Sequence, residues 1–478
     1  MSIKLEVYDQ FYINGQWVEP DNKKLMDVIN PSDESTCAQI AIGNANDVDK
    51  AAIAASQAFA TYGYSSIEER KDYLQAIIKT YKSRYNDIAD AISMEMGAPT
   101  QLAVKGQAGS GLGHFQTALA LLDSYPFTEK LSASTVVKEP IGVCGLITPW
   151  NWPINQIACK VAPALAVGCT VILKPSEVAP LSAYVFAEVM HEAGLPAGVF
   201  NLINGDGVGV GTALSEHPLV DMISFTGSTR AGALVARNAA PTIKRVAQEL
   251  GGKSANIILP DADFEKAVKQ GARTVFVNSG QSCNSPTRML VPADKVKQAE
   301  EIASKVASQV VVGAANAEST TMGPVVSEVQ FNKIRDLIQK GIDEGATLVC
   351  GGVEKPGGLG KGFYIQPTVF SNVNNEMSIA KEEIFGPVFA IMPYENVDEA
   401  IEIANDTPYG LAGYVQGKDK GTLSYVASRI RAGNISINGK SGDMFTPFGG
   451  YKQSGNGREW GAHGFGDFLE IKAISGLD

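Results

Sequence analysis

Basic charge, paired cysteines, histidines and unbroken apolar runs are all scarce in this sequence of 478 residues. Acidic residues outnumber basic ones 51 to 40, a formal charge of −11. The counterion-release attraction that drives nonspecific nucleic-acid binding is therefore missing, and no nucleic-acid partner is expected. Six cysteines (Cys37, Cys144, Cys159, Cys169, Cys283 and Cys350) are scattered without a C-x-x-C pair, which argues against a disulfide framework and against zinc. His114, His191, His217 and His463 are too dispersed to form a ligand group, so no metal is expected. The longest apolar run, 161–173, is interrupted by Pro163, Gly168 and Thr170 and falls short of the roughly 18 residues a bilayer span needs. No membrane partner is expected. The opening MSIKLEVYDQ has no apolar signal core, so the chain reads as cytoplasmic. Internal repeats, low-complexity segments and charge runs are absent.

What is present describes a globular protein, with 45% hydrophobic and 19% charged residues. At about 150 residues per domain the length suggests two to four domains. Asn14-Gly15 between Tyr12-Ile13 and Gln16-Trp17 predicts a tight hairpin. Ser66-Ile67-Glu68-Glu69 is a capping-box pattern, and the apolar residues after it recur every three or four positions, predicting one long helix that ends near Gly97. From 141 onward, β-branched runs at 141–147, 170–173, 199–203, 220–225 and 243–246 alternate with helical stretches. A second series runs through 255–259, 288–291, 346–349, 388–392 and 434–437. Such alternation predicts two α/β domains with parallel sheets. Two alternating segments, 132–138 and 468–472, fit neither series and suit half-exposed strands that pair with each other or with another subunit.

Gly280-Gln281-Ser282-Cys283-Asn284 places one cysteine in a small, polar stretch where a reactive thiol can be reached. A free thiol is only a few per cent thiolate at neutral pH, so a nucleophile here needs help from backbone donors or a local field. A lone cysteine can equally be structural. Glu249-Leu250-Gly251-Gly252-Lys253 lies at the boundary between the two series, and Glu249 stands 34 residues before Cys283. A carboxylate beside paired glycines can activate water if burial raises its pKa; a surface carboxylate before a turn is the alternative.

Thr148-Pro149-Trp150-Asn151-Trp152-Pro153 follows the 141–147 run at the sheet edge where α/β proteins bind ligands. Asn151 offers an amide to a developing oxyanion, or simply shapes a turn. Lys174-Pro175-Ser176-Glu177 leaves the next run at the same edge, where a lysine and a carboxylate can hold ribose hydroxyls. Phe225-Thr226-Gly227-Ser228 opens a helix whose N-terminus suits a pyrophosphate, a use compatible with plain capping by Ser228. The glycines of 205–211 are spaced G-x-G-x-x-x-G, one residue too long for the dinucleotide fingerprint.

Together these segments, with Lys381-Glu382-Glu383-Ile384-Phe385-Gly386-Pro387-Val388, 405–411 and Pro447-Phe448-Gly449-Gly450-Tyr451-Lys452-Gln453-Ser454-Gly455, resemble the aldehyde dehydrogenase superfamily in content, order and spacing over nearly the whole chain. The resemblance implies an α/β fold with a Rossmann-type cofactor domain (1–122 and 141–249), an α/β catalytic domain (250–445) and a small β oligomerisation extension (123–140 and 460–478). It implies Cys283 as nucleophile, Glu249 as base, and Asn151 with the Cys283 N–H as oxyanion hole. Lys160, nine residues beyond Asn151, would support that site. For the cofactor it implies Lys174 and Glu177 at the adenosine ribose, Ser228 with Phe225 and Gly227 near the pyrophosphate, Trp150 along the dinucleotide, and Glu383 with Phe385 near the nicotinamide. NAD is favoured over NADP, because Glu177 would repel a 2′-phosphate. A homodimer or homotetramer that oxidises an aldehyde to a carboxylic acid is the implied state. The rivals are a CoA-acylating relative and a non-catalytic protein retaining the fold. Trp152, Asn155, Gln156, Cys159, Ser282, Asn284 and Phe445 are the expected lining of the aldehyde tunnel, a mixture of aromatic and polar groups.

Overall fold

The computed structural model describes residues 6–440 and 442–476. The first five residues of the opening segment, Ser441 and the last two residues of the predicted extension lie outside the described residues. The predicted hairpin forms: Asn14 and Gly15 both take left-handed φ, 52° and 75°, the twist that lets Phe11–Ile13 and Gln16–Val18 pair antiparallel without splaying. The capping box forms as well, with Ser66 and Glu69 exchanging side-chain and backbone bonds. The long helix, however, is two helices, Ile67–Ser83 and Tyr85–Met96. They meet at Arg84, which leaves helical geometry (φ −103°, ψ 12°) while its guanidinium binds Asp87, Glu188 and Glu192. Periodicity continues across this bend because both helices turn apolar faces to the same core. Gly97, at φ 78°, ends the second.

An eight-stranded sheet carries the first series. Val143–Ile147 sits between Thr170–Lys174 and Met222–Thr226, and all three are parallel. The chain adds Phe200–Leu202 on one side and Arg245–Glu249 on the other. The winding direction therefore reverses beside Val143–Ile147, and a crevice opens at the C-terminal ends of the strands flanking such a reversal. The last strand runs further than the 243–246 pattern suggests. Ile243 is exposed in a left-handed turn (φ 55°), and pairing begins at Arg245 and extends to Glu249. Glu249 thus stands on a strand end rather than in a turn.

The second sheet has seven strands, parallel apart from the edge strand Thr347–Cys350. Two of them, Thr368–Ser371 and Ala412–Gln416, are absent from the sequence reading. The first is only four residues long, and the second begins Ala-Gly, residues that disfavour strands in isolation. The two unplaced segments pair with each other, Leu469–Ser475 lying antiparallel to Ser134–Pro140 over seven residue pairs. Thr128–Leu131 completes a small three-stranded sheet. No helix of the described residues is long and apolar enough to cross a membrane.

Candidate active site

The loop after Val143–Ile147 carries Trp150, Asn151 and Trp152 over the crevice, and Pro153 starts the helix Pro153–Val167. Asn151 is 3% exposed, and its Nδ2 donates to the carbonyl of Gln281, 3.0 Å away in the Cys283 loop. A carboxamide has two N–H groups, so one remains after this bond. The neighbours of Cys283 are pinned too: Trp152 Nε1 donates to Ser282 Oγ at 2.8 Å, and Tyr414 Oη to the Asn284 carbonyl at 2.8 Å.

The paired glycines after Glu249 explain how the two sheets come this close. A methyl group on Gly252 would stand 2.3 Å from the Cys283 carbonyl, and one on Gly251 would stand 2.6 Å from Glu383 Oε2. Only bare backbone fits at Gly252, and a side chain at Gly251 would displace the Glu383 carboxylate. Glu249 itself is 4% exposed, and both of its carboxyl oxygens are buried without a hydrogen-bond partner. Gly449 faces it, with a virtual Cβ 2.7 Å from Glu249 Oε1. Burial, then the nearby Glu459 carboxylate, raises the Glu249 pKa well above the ordinary carboxylate range, against the pull of Lys160 and Arg458. Burial likewise pushes the Cys283 thiol up, reinforced by Glu383, Glu249 and Glu459.

Lys160 is fully buried among apolar residues of its helix. Burial alone would lower its pKa, yet the ion pair with Glu459 raises it, and its Nζ also donates to Thr226 Oγ1 at 2.7 Å. Glu459 is the residue that sequence reasoning missed. It lies four positions past Gly455, where the quoted motif ends. The Phe448 and Glu459 backbones bond to each other at 2.8 and 2.7 Å, and this pairing delivers the carboxylate to the crevice.

Along the same sheet edge, Lys174 Nζ reaches Glu177 Oε2 at 2.9 Å. Ser228 caps the helix Thr229–Ala239, accepting from the Ala231 N–H at 3.3 Å. The Gly227 N–H donates to the Glu249 carbonyl at 3.0 Å, and its missing Cβ leaves room for the Phe225 ring. On the opposite wall, Glu383 Oε1 accepts from the Gly252 N–H at 2.8 Å, and Trp150 meets the Phe385 ring edge-on at 5.3 Å. A helix N-terminus for an anion, carboxylates for hydroxyls and a glycine-cleared floor between them suit a dinucleotide. The glycines of 205–211 follow Phe200–Leu202 at this edge without forming the fingerprint turn. Gly207–Gly211 forms a single π-helical turn in which Asp206 takes the Gly209 N–H at 2.6 Å, so a carboxylate occupies the place a phosphate would need.

A cavity of about 600 Å³ opens beside Ser282 and Asn284, walled by Trp152, Tyr414, Phe448 and Trp460. Of the expected tunnel residues, Trp152, Ser282 and Asn284 line it; Asn155, Gln156, Cys159 and Phe445 do not. Asn155 Oδ1 is bonded to His114 at 2.9 Å, Gln156 is buried, Cys159 Sγ approaches Glu459 at 3.4 Å, and Phe445 faces outward. Helical spacing puts Asn155, Gln156 and Cys159 on other faces of Pro153–Val167, and Phe445 lies in a turn. Among the described residues no cluster of His, Cys, Asp or Glu is placed to hold a metal ion.

Residues 17–474 match the model of the aldehyde dehydrogenase family. A 3-succinoylsemialdehyde-pyridine dehydrogenase of a Pseudomonas species is 54% identical over 98% of this chain and 99% of its own length. Among solved structures, a cysteine-to-alanine mutant of aldehyde dehydrogenase C from Pseudomonas syringae, in complex with NAD+ and octanal, superimposes with a TM-score of 0.97 at 51% identity, covering 98% of this chain and 97% of that one. Betaine aldehyde dehydrogenase from Staphylococcus aureus in complex with NAD+ gives 0.95 at 36% identity, covering 98% and 94%. Matched in sequence and in backbone over nearly its full length, the chain belongs to the aldehyde dehydrogenase family and is an enzyme that oxidises aldehydes.

Proposed function

We propose that Cys283 attacks the aldehyde, that Asn151 and the Cys283 N–H hold the resulting oxyanion, and that Glu249 activates the water that releases the acid. One observation carries this reading: the Gly251-Gly252 turn lies directly against the Cys283 backbone, bringing a partnerless carboxyl group and a thiol from different sheets to one crevice. Once the Cys283 thiol has lost its proton to solvent, attack by the thiolate forms a tetrahedral thiohemiacetal, whose negative oxygen the fixed Asn151 amide stabilises without reorganising. Trp150, Glu383 and Phe385 would hold the nicotinamide, which when bound would supply the acceptor for the hydride that leaves the tetrahedral carbon. A thioester then remains on Cys283. In its ionised form Glu249 takes a proton from water as the water attacks the thioester, and the Glu459–Lys160 pair offers that proton its next acceptor.

NAD is the preferred cofactor in this reading. Lys174 is already neutralised by Glu177, so a 2′-phosphate at this edge meets a carboxylate without a free cation. Like charges at about 4 Å cost roughly 1–4 kcal/mol near a protein surface, so kcat/KM should favour NAD over NADP by about 10- to 100-fold. Glu177→Gln narrows the gap. A parent enzyme that prefers NADP would refute the assignment.

The described lining of the cavity contains no lysine or arginine, and its one acid, Asp443, accepts from the Phe445 N–H at 3.0 Å. Glu383 and Glu459 lie near the thiol, so the site offers a substrate carboxylate no countercharge. We assign the site to uncharged aldehydes, with ring-bearing ones processed at least as well as long alkanals. NADH formation from benzaldehyde, phenylacetaldehyde, octanal and succinic semialdehyde tests both levels: NADH from any of them supports aldehyde oxidation, and the carboxylate-bearing substrate should fall at least about tenfold behind in kcat/KM. Strong selectivity for succinic semialdehyde or for octanal would overturn the substrate assignment.

Assembly and location follow the same reading. The edges of the small sheet, with Ile471 72% and Leu131 55% exposed, are open to pairing with a second copy, in keeping with a homodimer or homotetramer whose cofactor domain, catalytic domain and extension divide as the sequence suggests. Six free thiols suit the reducing cytoplasm.

A further inference from the structure

Gln107 is completely buried although nothing in the chemistry above uses it. It lies on the π-helical turn Ala103–Ala108, an irregularity that frequently marks functional positions. Its Nε2 points at three acceptors: Asn278 Oδ1 at 3.2 Å, the Asn151 carbonyl at 3.5 Å and Met96 Sδ at 3.4 Å. Its Oε1 is buried with no partner. Asn278, 2% exposed, continues the chain, its Nδ2 donating to the Asn151 carbonyl at 2.8 Å and to the Gln281 carbonyl at 3.2 Å. The Gln281 carbonyl is also the acceptor of the Asn151 side chain.

We infer that Gln107 and Asn278 are positioning residues for Asn151, a buried amide relay that sets the direction in which the Asn151 N–H is offered to the oxyanion. The inference rests on the role proposed above for Asn151. Its logic is one of orientation. A carboxamide can sit either way round; the Asn151 and Gln281 carbonyls favour Nδ2 on their side, and a donor at Asn278 Oδ1 reinforces that orientation, since Asn278 turned over would set oxygen against the Asn151 carbonyl and nitrogen against the donor. Gln107 supplies that donor. A side chain kept for packing alone gains nothing from an amide whose oxygen stays unsatisfied in the core, where a hydrocarbon of the same shape would be more stable.

The backbone around the relay is held under strain. Asn278 and Ser279 both take left-handed φ, 54° and 55°, unfavourable for side-chain-bearing residues. Gln281 Nε2 locks the Asn278 carbonyl at 3.1 Å, and Ser279 Oγ donates to the Gly323 carbonyl at 2.8 Å. Gly280 follows at φ 73°, with no space for a Cβ against the Gly386 carbonyl. The strained turn presents Asn278 to the Asn151 carbonyl and, three residues on, the Gln281 carbonyl to the Asn151 side chain.

The test is a double-mutant cycle on the full-length enzyme, reading the rate of the first NADH burst, with NAD affinity and Tm measured alongside. Gln107→Leu should slow the burst by about 10- to 100-fold, the usual effect of a small misplacement of a catalytic group, while NAD affinity stays unchanged. In an Asn151→Ala background the same substitution should change the burst by less than about twofold, because coupled residues are not additive. Gln107→Glu gives a second readout. A protonated acid can donate to Asn278 and an ionised one cannot, so its burst rate relative to the parent should fall as pH rises. A burst within twofold of the parent in Gln107→Leu, or an equal loss with and without Asn151, overturns the inference. If Gln107→Leu does not fold, the Gln107→Glu profile decides, and a profile parallel to that of the parent overturns it.

Discussion

Cys283→Ala is expected to bind NAD normally and to form NADH from aldehydes at least about 10⁴-fold more slowly than the parent, the scale of loss when a covalent nucleophile is removed. Each neighbour of the sulfur is anchored by its own bonds, Ser282 to Trp152, Asn284 to Tyr414 and Gln281 to Asn151. The crevice therefore keeps its shape when the sulfur is removed. No buried charge is lost either, since burial and three surrounding carboxylates keep the resting thiol protonated. That protonation also gives the parent a pH signature. Below a raised pKa the thiolate fraction grows about tenfold per pH unit, so alkylation of Cys283 by iodoacetamide should accelerate across the neutral range. Stopped-flow NADH formation and NAD titration decide the matter, and an alanine variant within tenfold of the parent would remove Cys283 from the chemistry.

Glu249→Gln separates the two halves of the reaction. Glutamine keeps the shape but cannot accept a proton, so one equivalent of NADH per site should still appear in a burst, followed by steady turnover reduced by about 10²- to 10⁴-fold. Quenched samples should carry an acyl group on the Cys283 peptide. Added CoA should not restore turnover, in contrast to a CoA-acylating enzyme. The parent's steady rate should rise with pH as Glu249 ionises through its raised pKa, and the variant should lose that limb. Stability moves the other way. A carboxyl group with a raised folded pKa contributes fully below its unfolded pKa, and the contribution is lost as pH climbs through the folded value. The glutamine variant, which never ionises, should therefore gain in Tm relative to the parent at alkaline pH. Unchanged steady turnover would exclude Glu249 as the base.

Much of this site is legible locally. Glycine pairs, a strand end followed by Thr148-Pro149-Trp150-Asn151, and a cysteine in a polar stretch each admit a structural reading alone and point to one chemistry only as a set, and the structure brings all three segments to one crevice. The tunnel was less legible. Asn155, Gln156 and Cys159 follow Trp152 closely, yet only Trp152 reaches the cavity, because a helix turns successive side chains by about 100°. The helix break at Arg84 was hidden for a related reason: periodicity reports which face is buried and not where the axis bends.

The sequence by itself determined which chemistry is available, since hairpin, caps, strand ends and motif residues depend on neighbours a few positions away. Tertiary structure alone decided which groups meet. Lys160 and Glu459 are 299 positions apart, Gln107 and Asn278 171, and no local pattern can encode a pairing over such distances. The Gly252 backbone had to lie against the Cys283 loop and the C-terminal segment had to return along Glu249 before a carboxylate reached the buried lysine and the Gln107 and Asn278 amides came within bonding distance of the Asn151 carbonyl.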